Sequence, residues 1–375
     1  MLLENPTNKD IQSYFASLDK VASKAGAPAI ERYVDLGTHV VKLISYSEEF
    51  LEHAEKQLTW SLRDGSPQYD ATLVIWKKDR DNNGEVAESL FGDPNTYGYR
   101  RLRLKKLTEK RIINRIKVCH EELRPRTALI DVDPLKGVIS AWNPQTNTYY
   151  YALENLEPEE VIKLGHLFVS TFYQIVKGPS TSLVHGAAIG LNGNGAFFCG
   201  AGYRGKSTLS VGCMLDGFDY VSDDYLILSR DGAGLKAWPI YSIIALSSAM
   251  YRKMYSSLNG KFVSNNGRKD KYIFNIAAHH DRFRSKYPIK LCLYPHITSC
   301  DDPSVELGGD DVAIQEFAQS SLRNTGDIEN ENEFNRLTSL IGGLPIYRIN
   351  LSPHLKKNTQ CLRDFLVNFQ ATNSI

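Results

Sequence analysis

One eight-residue stretch constrains this chain more than any other. Gly200-Ala201-Gly202-Tyr203-Arg204-Gly205-Lys206-Ser207 satisfies G-x-x-x-x-G-K-[ST]. Ala196 to Cys199 is a short apolar run entering the loop. Thr208 to Leu215 is compatible with a helix, and Asp216-Gly217 ends it. Strand, glycine loop and helix in that order predict an α/β unit. Consecutive backbone N–H groups in such a loop form an anion nest, and the helix adds its positive end. Glycine is needed where backbone meets phosphate, because a Cβ would hold the oxygens away. Gly200, Ala201, Gly202, Tyr203, Arg204, Gly205, Lys206, Ser207 and Thr208 are therefore the expected nucleotide-binding residues. Lys206 can bridge β- and γ-phosphates, and the Ser207 hydroxyl can ligate Mg²⁺.

Seventeen residues after Lys206, Asp223 and Asp224 interrupt the apolar run Tyr220 to Leu228. Neighbours in a strand alternate faces, so a strand carrying both must bend or end there. One carboxylate for Mg²⁺ and one to accept a hydroxyl proton suits phosphoryl transfer. Upstream, Ser182 to Leu191 reads as strand, and Asn192-Gly193-Asn194-Gly195 is a hairpin signal. This predicts that the strand carrying His185 pairs antiparallel with the one entering the loop, bringing the imidazole near the phosphates.

The remaining chain is ordinary in composition. Its 375 residues suggest two domains, and 42% hydrophobic against 23% charged residues exclude wholesale disorder. Lys+Arg of 44 against Asp+Glu of 43 gives a net charge of +1, which argues against nucleic acid or a membrane surface as partner. No apolar run of membrane-spanning length is present, and the acidic start from Met1 to Asp10 lacks the apolar core of a secretory signal. Six scattered cysteines without a C-x-x-C pair fit thiols in a reducing cytoplasm rather than disulfides or zinc.

Strands are expected over Tyr33 to Leu43, Ala71 to Trp76, Ala128 to Asp133, Gly137 to Trp142 and Thr148 to Leu153. A helix capped by Ser47 is expected to Leu62, a loop over Asp79 to Tyr99, and a helix from Glu157 to Val176. The last helix places the domain boundary, giving residues 1–156 as an N-terminal α+β domain and 157–375 as the nucleotide domain. Arg100 to Lys117 holds nine basic residues and one acid, Glu109, either a solvated face or a contact for an acidic partner. Residues 1–156 are thus a candidate acceptor-binding region.

The Val184-His185-Gly186 strand, the hairpin, the glycine loop and the Asp-Asp pair together resemble the HPr kinase/phosphorylase family. More loosely they resemble the nucleotide site of phosphoenolpyruvate carboxykinases. Trp238-Pro239, Lys269 to Tyr272, Ile289 to Pro295 and Gly342 to Leu351 extend the resemblance over roughly residues 157–375. It implies an α/β kinase domain of the HPr-kinase/carboxykinase type, using ATP and Mg²⁺ to phosphorylate a hydroxyl. It implies Asp223 as base, Ser207 at the metal, Asp224 at the metal or among the groups around its ligands, and His185 orienting the base or lying near the metal. Lys271, with Lys269 as its rival, would reach the transferred group.

Trp238 to Met254 is apolar and Ser-rich where HPr kinases carry a Glu-Ile-Arg-Gly-Leu-Gly-like segment around their protein substrate. A different hydroxyl, on a small molecule or on a peptide or protein serine, is therefore the expected acceptor. The alternatives are a nucleotide-binding regulatory module with little turnover, and a carboxykinase-like lyase. A homo-oligomer is compatible with the sequence.

Overall fold

The computed structural model describes residues 8–23, 28–77, 114–118, 128–133, 138–158, 161, 165–255, 260–263, 270–277, 281–308, 310–323 and 331–369. The expected loop Asp79 to Tyr99, Lys269 and most of the basic run lie outside them; Arg115 and Lys117 fall on a strand. Two compact units form. One comprises Met1–Val34, Val40–Glu55 and Leu62–Gly165, the other Asp35–His39, Lys56–Ser61 and His166–Ile375.

The first unit is built on β1 (Ile30–Asp35), β2 (Val40–Ser45), β3 (Leu62–Arg63), β4 (Ala71–Lys77), β5 (Asn114–Val118), β6 (Ala128–Asp133), β7 (Val138–Asn143) and β8 (Thr148–Leu153). They lie in the order β3-β1-β2-β4-β8-β7-β6-β5, with β2, β4 and β8 parallel. Helix α1 (Asn8–Ser23) buries Tyr14, Phe15, Leu18 and Ala22 among Trp76, Ala141 and Tyr150, the i, i+4 spacing of one helix face. Helix α2 (Glu48–Leu58) starts where expected, its Phe50 N–H donating to Ser47 Oγ at 3.2 Å.

The second unit begins with a correction. The helix expected from Glu157 to Val176 is interrupted: Pro158 and Val161 are helical, with the Val161 N–H donating to Glu157 O at 3.0 Å, and α3 (Val169–Val176) follows as a separate helix. Gly165 and Phe168 have φ of 82° and 62°, and left-handed backbone cannot continue a right-handed helix. Next come β9 (Thr181–His185), β10 (Ala187–Leu191), β11 (Asn194–Phe198), α4 (Lys206–Leu215), β12 (Asp219–Ser222), β13 (Tyr225–Asp231) and β14 (Gly234–Pro239). A small antiparallel sheet follows, β15 (Ile243–Ser247), β16 (Lys261–Val263) and β17 (Lys271–Asn275), with α5 (Ser248–Met254) between β15 and β16. The chain ends with β18 (Tyr287–Ile297), β19 (Ser304–Leu307), α6 (Asp310–Arg323), α7 (Glu331–Ile341), β20 (Ile346–Leu351) and α8 (Leu355–Asn368).

The main sheet runs β12-β10-β11-β18-β14-β13-β9, with β20 also on β18 and β19 on β20. Strands β11, β18 and β20 are parallel, so their C-terminal ends share one edge. Alternation along β11 sends Ala196 and Phe198 to one face, with Leu209 of α4 and Leu362 of α8. Phe197 and Cys199 go to the other, with Phe317 of α6 and Leu337 of α7. A sheet covered by helices on both faces is the α/β architecture the loop motif predicted. Among the described residues no helix is long and apolar enough to cross a membrane.

Candidate active site

Strand β11 ends at buried Phe198, and the chain turns through Gly200 (φ 115°), Tyr203 (φ 66°) and Gly205 (φ 97°) before α4. Gly205 is required: its backbone is left-handed, and a Cβ would lie 2.9 Å from Leu351 Cδ1. The helix start has no side-chain cap, so its first N–H groups remain available to an anion. Lys206 is 5% exposed. Its ammonium donates to the carbonyls of Gly200 and Ala201 at 2.9 and 2.8 Å. Burial lowers its pKa, opposed by Asp224 and Asp223.

His185 reaches the site by a route other than the one expected. The chain divides at Gly186: β10 pairs with β11, while β9, ending at His185, pairs with β13. A Cβ at Gly186 would sit 2.4 Å from the Phe197 ring and 2.8 Å from the Phe198 carbonyl, so only glycine lets the chain cross the loop strand there. Its N–H donates to Asp224 O at 3.1 Å, joining the turn to the Asp-Asp corner.

The corner separates the two carboxylates. Strand β12 stops at Ser222 and β13 starts at Tyr225, with Asp224 at φ 63° and Tyr225 N–H donating to Asp223 O at 2.8 Å. Asp223 is buried, accepting from Ser210 Oγ at 3.4 Å and from Ser207, while its Oδ2 has no partner. Burial and the adjacent Asp224 charge push its pKa up to about 7. Asp224 lines a cavity and lies 3.8 Å from His185 Nε2. Burial would raise its pKa, but the surrounding basic groups, with Lys271 and Lys206 as the charged ones near neutral pH, outweigh burial and hold it below the usual range. Burial takes His185 down to about 3, with the Lys206 charge adding to it, so the imidazole is neutral; its Nδ1 is buried and unpartnered.

The cavity has a volume of about 630 Å³. Gly202, Tyr203, Gly205, Lys206, Ser207 and Thr208 line it from the loop and helix, and His185, Asp224 and Lys271 from the strands. The structure thus brings together most of the residues expected from sequence. Gly200, Ala201 and Arg204 belong to the loop but not to the cavity wall, and Asp223 lies behind it. Apolar Leu246, Met250, Ile297, Leu351 and Leu355 complete much of the lining.

Sequence reasoning missed three neighbours. Ser210 lies one helical turn beyond Ser207, a signal that i, i+3 spacing could have given. His166, half-buried with its Nε2 enclosed and unpartnered and its ring edge-on to Tyr225 and Tyr241, sits in the segment read as helix. Glu316, on α6, accepts from the Ala201 N–H across 115 positions, and no local motif announces it.

No family model matches this chain, and no curated protein does. Among solved structures it is similar to the Hpr(Ser) kinase/phosphatase from Coxiella burnetii, at 13% identity and a TM-score of 0.27. That match covers 50% of this chain and 97% of the other. A likeness this distant identifies neither residues nor substrate.

Proposed function

We propose that the protein is a Mg²⁺- and ATP-dependent kinase that transfers the γ-phosphoryl group to an alcohol oxygen of a small molecule or peptide. Its second unit would then be a kinase domain of the HPr-kinase type. The supporting observation is one cavity that joins the glycine loop and Lys206 to Asp224, His185 and Lys271. A phosphate chain on the loop would place its terminal group among a cation, a carboxylate and a second cation.

Mg²⁺ suits the donors present. Among the described residues no three His, Cys, Asp or Glu side chains group into a metal site. Mg²⁺ in such enzymes is held largely by phosphates and water, with few protein ligands. The Ser207 hydroxyl, with the unpartnered Asp223 oxygen behind it, fits that role. Bound there, the ion would neutralise charge on the phosphates.

The geometry favours exchanging the roles that the resemblance implies for the two carboxylates. Asp224 faces the cavity and is held ionised, so it suits the acceptor proton; Asp223 suits the metal side. The acceptor oxygen bonds to the γ-phosphorus, the bond to the β–γ bridging oxygen breaks, and the hydroxyl proton passes to Asp224. Neutral His185 would orient that carboxylate. Lys271 would meet charge on the transferred group, and Lys206 charge on the β- and γ-oxygens.

ADP release from Mg·ATP, measured with and without panels of hydroxyl compounds and peptides, tests this. Lys206→Ala is expected to lower turnover by about 10²–10³. Unchanged turnover in a folded variant overturns the reading. Mg·ATP binding with no acceptor-dependent ADP would instead identify a regulatory nucleotide module.

A further inference from the structure

Lys206 is anchored by carbonyls of the loop that precedes it, so its position depends on what fixes that loop. Ala201 is the junction. Its carbonyl accepts from the Lys206 ammonium at 2.8 Å, and its N–H donates to Glu316 Oε2 at 2.8 Å. The same carboxylate takes Arg204 from the other half of the loop, with Nη2 at 2.5 Å from Oε1 and Nε at 3.3 Å from Oε2. The Arg204 guanidinium in turn lies over the Tyr294 ring, 5.4 Å from its centroid. One side chain from α6 therefore grips the loop at two points, three residues apart, with Lys206 held against the first.

We propose that Glu316 is a positioning residue for phosphate binding. It fixes the first half of the loop as an anchor and leaves the amides from Gly202 onward as the phosphate cradle. It also neutralises Arg204, so that Lys206 is the loop's free cation toward the cavity. A carboxylate this close to a phosphate site would repel the ligand if its charge were not taken up. The Arg204 fork takes it up in the two-point geometry that guanidinium and carboxylate favour. The sequence points the same way. Arg204 is the one long cation among the four variable loop positions, yet it is not on the cavity wall.

This inference rests on the nucleotide reading above, so its test carries one readout that needs no nucleotide. Hydrogen exchange of residues 200–207 is followed in the full chain, in parallel with binding of Mg²⁺ and a non-hydrolysable ATP analogue. In Glu316→Ala the Ala201 amide loses its acceptor; its exchange is expected to accelerate, and analogue binding to weaken about tenfold. Glu316→Gln keeps an acceptor for the amide but not the charge for Arg204. It is expected to retain amide protection and recover much of the affinity.

The ATP KM is expected to rise more than kcat falls, because the cradle is displaced while Asp224 and Lys271 are not. Fast exchange with unaltered analogue affinity in Glu316→Ala would overturn the positioning role. So would unaltered exchange. If the wild-type chain protects Ala201 through Glu316 yet binds no analogue, the nucleotide reading fails and the loop anchor stands as a structural feature alone. A global loss of melting temperature in Glu316→Gln, with binding lost in proportion, would make Glu316 a fold residue instead.

Discussion

Left-handed backbone serves different ends in the two units. In the first, Asn147 (φ 50°) sits in the turn between β7 and β8 and is supported there. Its side chain donates to Asp70 O at 2.7 Å and accepts from Trp142 Nε1 at 3.2 Å. In the second, Tyr203 and Asp224 have φ of 66° and 63° on the cavity wall. Polar groups differ likewise. Tyr150 Oη, in the first core, donates to Asp19 at 2.8 Å. Around the cavity, His166 Nε2, His185 Nδ1 and Asp223 Oδ2 are buried without partners. Trp76 Nε1 in the first unit is also unpartnered, but an indole neither gains nor loses a proton near neutral pH. Left-handed residues also occur away from the cavity, at Phe168 and Asn192, but unsatisfied histidine and carboxylate atoms gather around it, where a ligand could satisfy them.

The strongest way to break this comparison is to make one isosteric change in both units. Asp224→Asn removes the proton acceptor and is expected to lower turnover by about 10²–10⁴, with little change in Mg·ATP affinity. Asp223→Asn should instead weaken the Mg²⁺-dependent part of nucleotide binding. Asp19→Asn, beside Tyr150, should leave turnover within about twofold, as distant substitutions do. Steady-state kinetics and titration calorimetry on the three variants decide it. Equal losses at Asp223 and Asp224 would remove the division of roles, and a large loss at Asp19 would remove the contrast between the units.

The sequence made the loop, its strand and its helix legible because all the constraints there are local. Glycine spacing, the apolar run and the Lys-Ser pair fall within about a dozen positions. The Asp-Asp corner was legible for the same reason, since two carboxylates cannot sit together in an apolar strand. What it did not reveal depends on pairing between distant strands. His185 was placed near the loop, but through the wrong partner strand. The need for glycine at 186 comes from the Phe197 ring, which no spacing rule predicts. Glu316 is one of several acids on α6, and nothing in that helix distinguishes it until the loop is packed against it. The helix expected from Glu157 begins near Pro158 but does not run unbroken to Val176, because helical periodicity does not register left-handed residues such as Gly165 and Phe168.

Acid stability sharpens the comparison at smaller amplitude. His185 titrates near 3 when folded against an ordinary value of 6.5, and His166 is also lowered. The contribution of each is complete above pH 6.5 and is lost on acidification, that of His185 as pH falls toward 3. Asp223 moves the other way, from 3.8 to about 7, so its contribution is present at low pH and is lost as pH rises toward 7. Between about pH 4 and 6.5 His185 and Asp223 oppose each other, each with a slope of at most about 1.4 kcal/mol per pH unit. Relative to wild type, Asp223→Asn should therefore lose stability faster on acidification, and His185→Gln more slowly. Denaturant unfolding at pH 4.5, 5.5 and 6.5 measures both. Slopes that shift in the same direction would mean that the two groups do not titrate as an opposed pair, and that the cavity's unpartnered atoms are not a feature of the native electrostatics.

The smallest effect concerns the strained residues themselves. A tyrosine at φ 66° costs roughly 1 kcal/mol or more relative to relaxed backbone, and glycine would remove that cost. Glycine also enlarges the unfolded ensemble, which takes back about 0.5–1 kcal/mol. The Tyr203 side chain is 69% exposed, so little burial is forfeited. Tyr203→Gly should therefore leave stability unchanged or raise it by less than about 1 kcal/mol, a shift of no more than a few degrees in Tm. Asn147→Gly relieves less strain, because asparagine tolerates left-handed backbone, and it loses two side-chain hydrogen bonds. It should cost about 1 kcal/mol. Opposite signs for these two substitutions, read by thermal unfolding, would show strain held in place by local bonds in one unit and retained at the phosphate loop in the other. A clear loss of stability in Tyr203→Gly would mean that the ring's own contacts outweigh its strain, and that residue 203 belongs with Asn147.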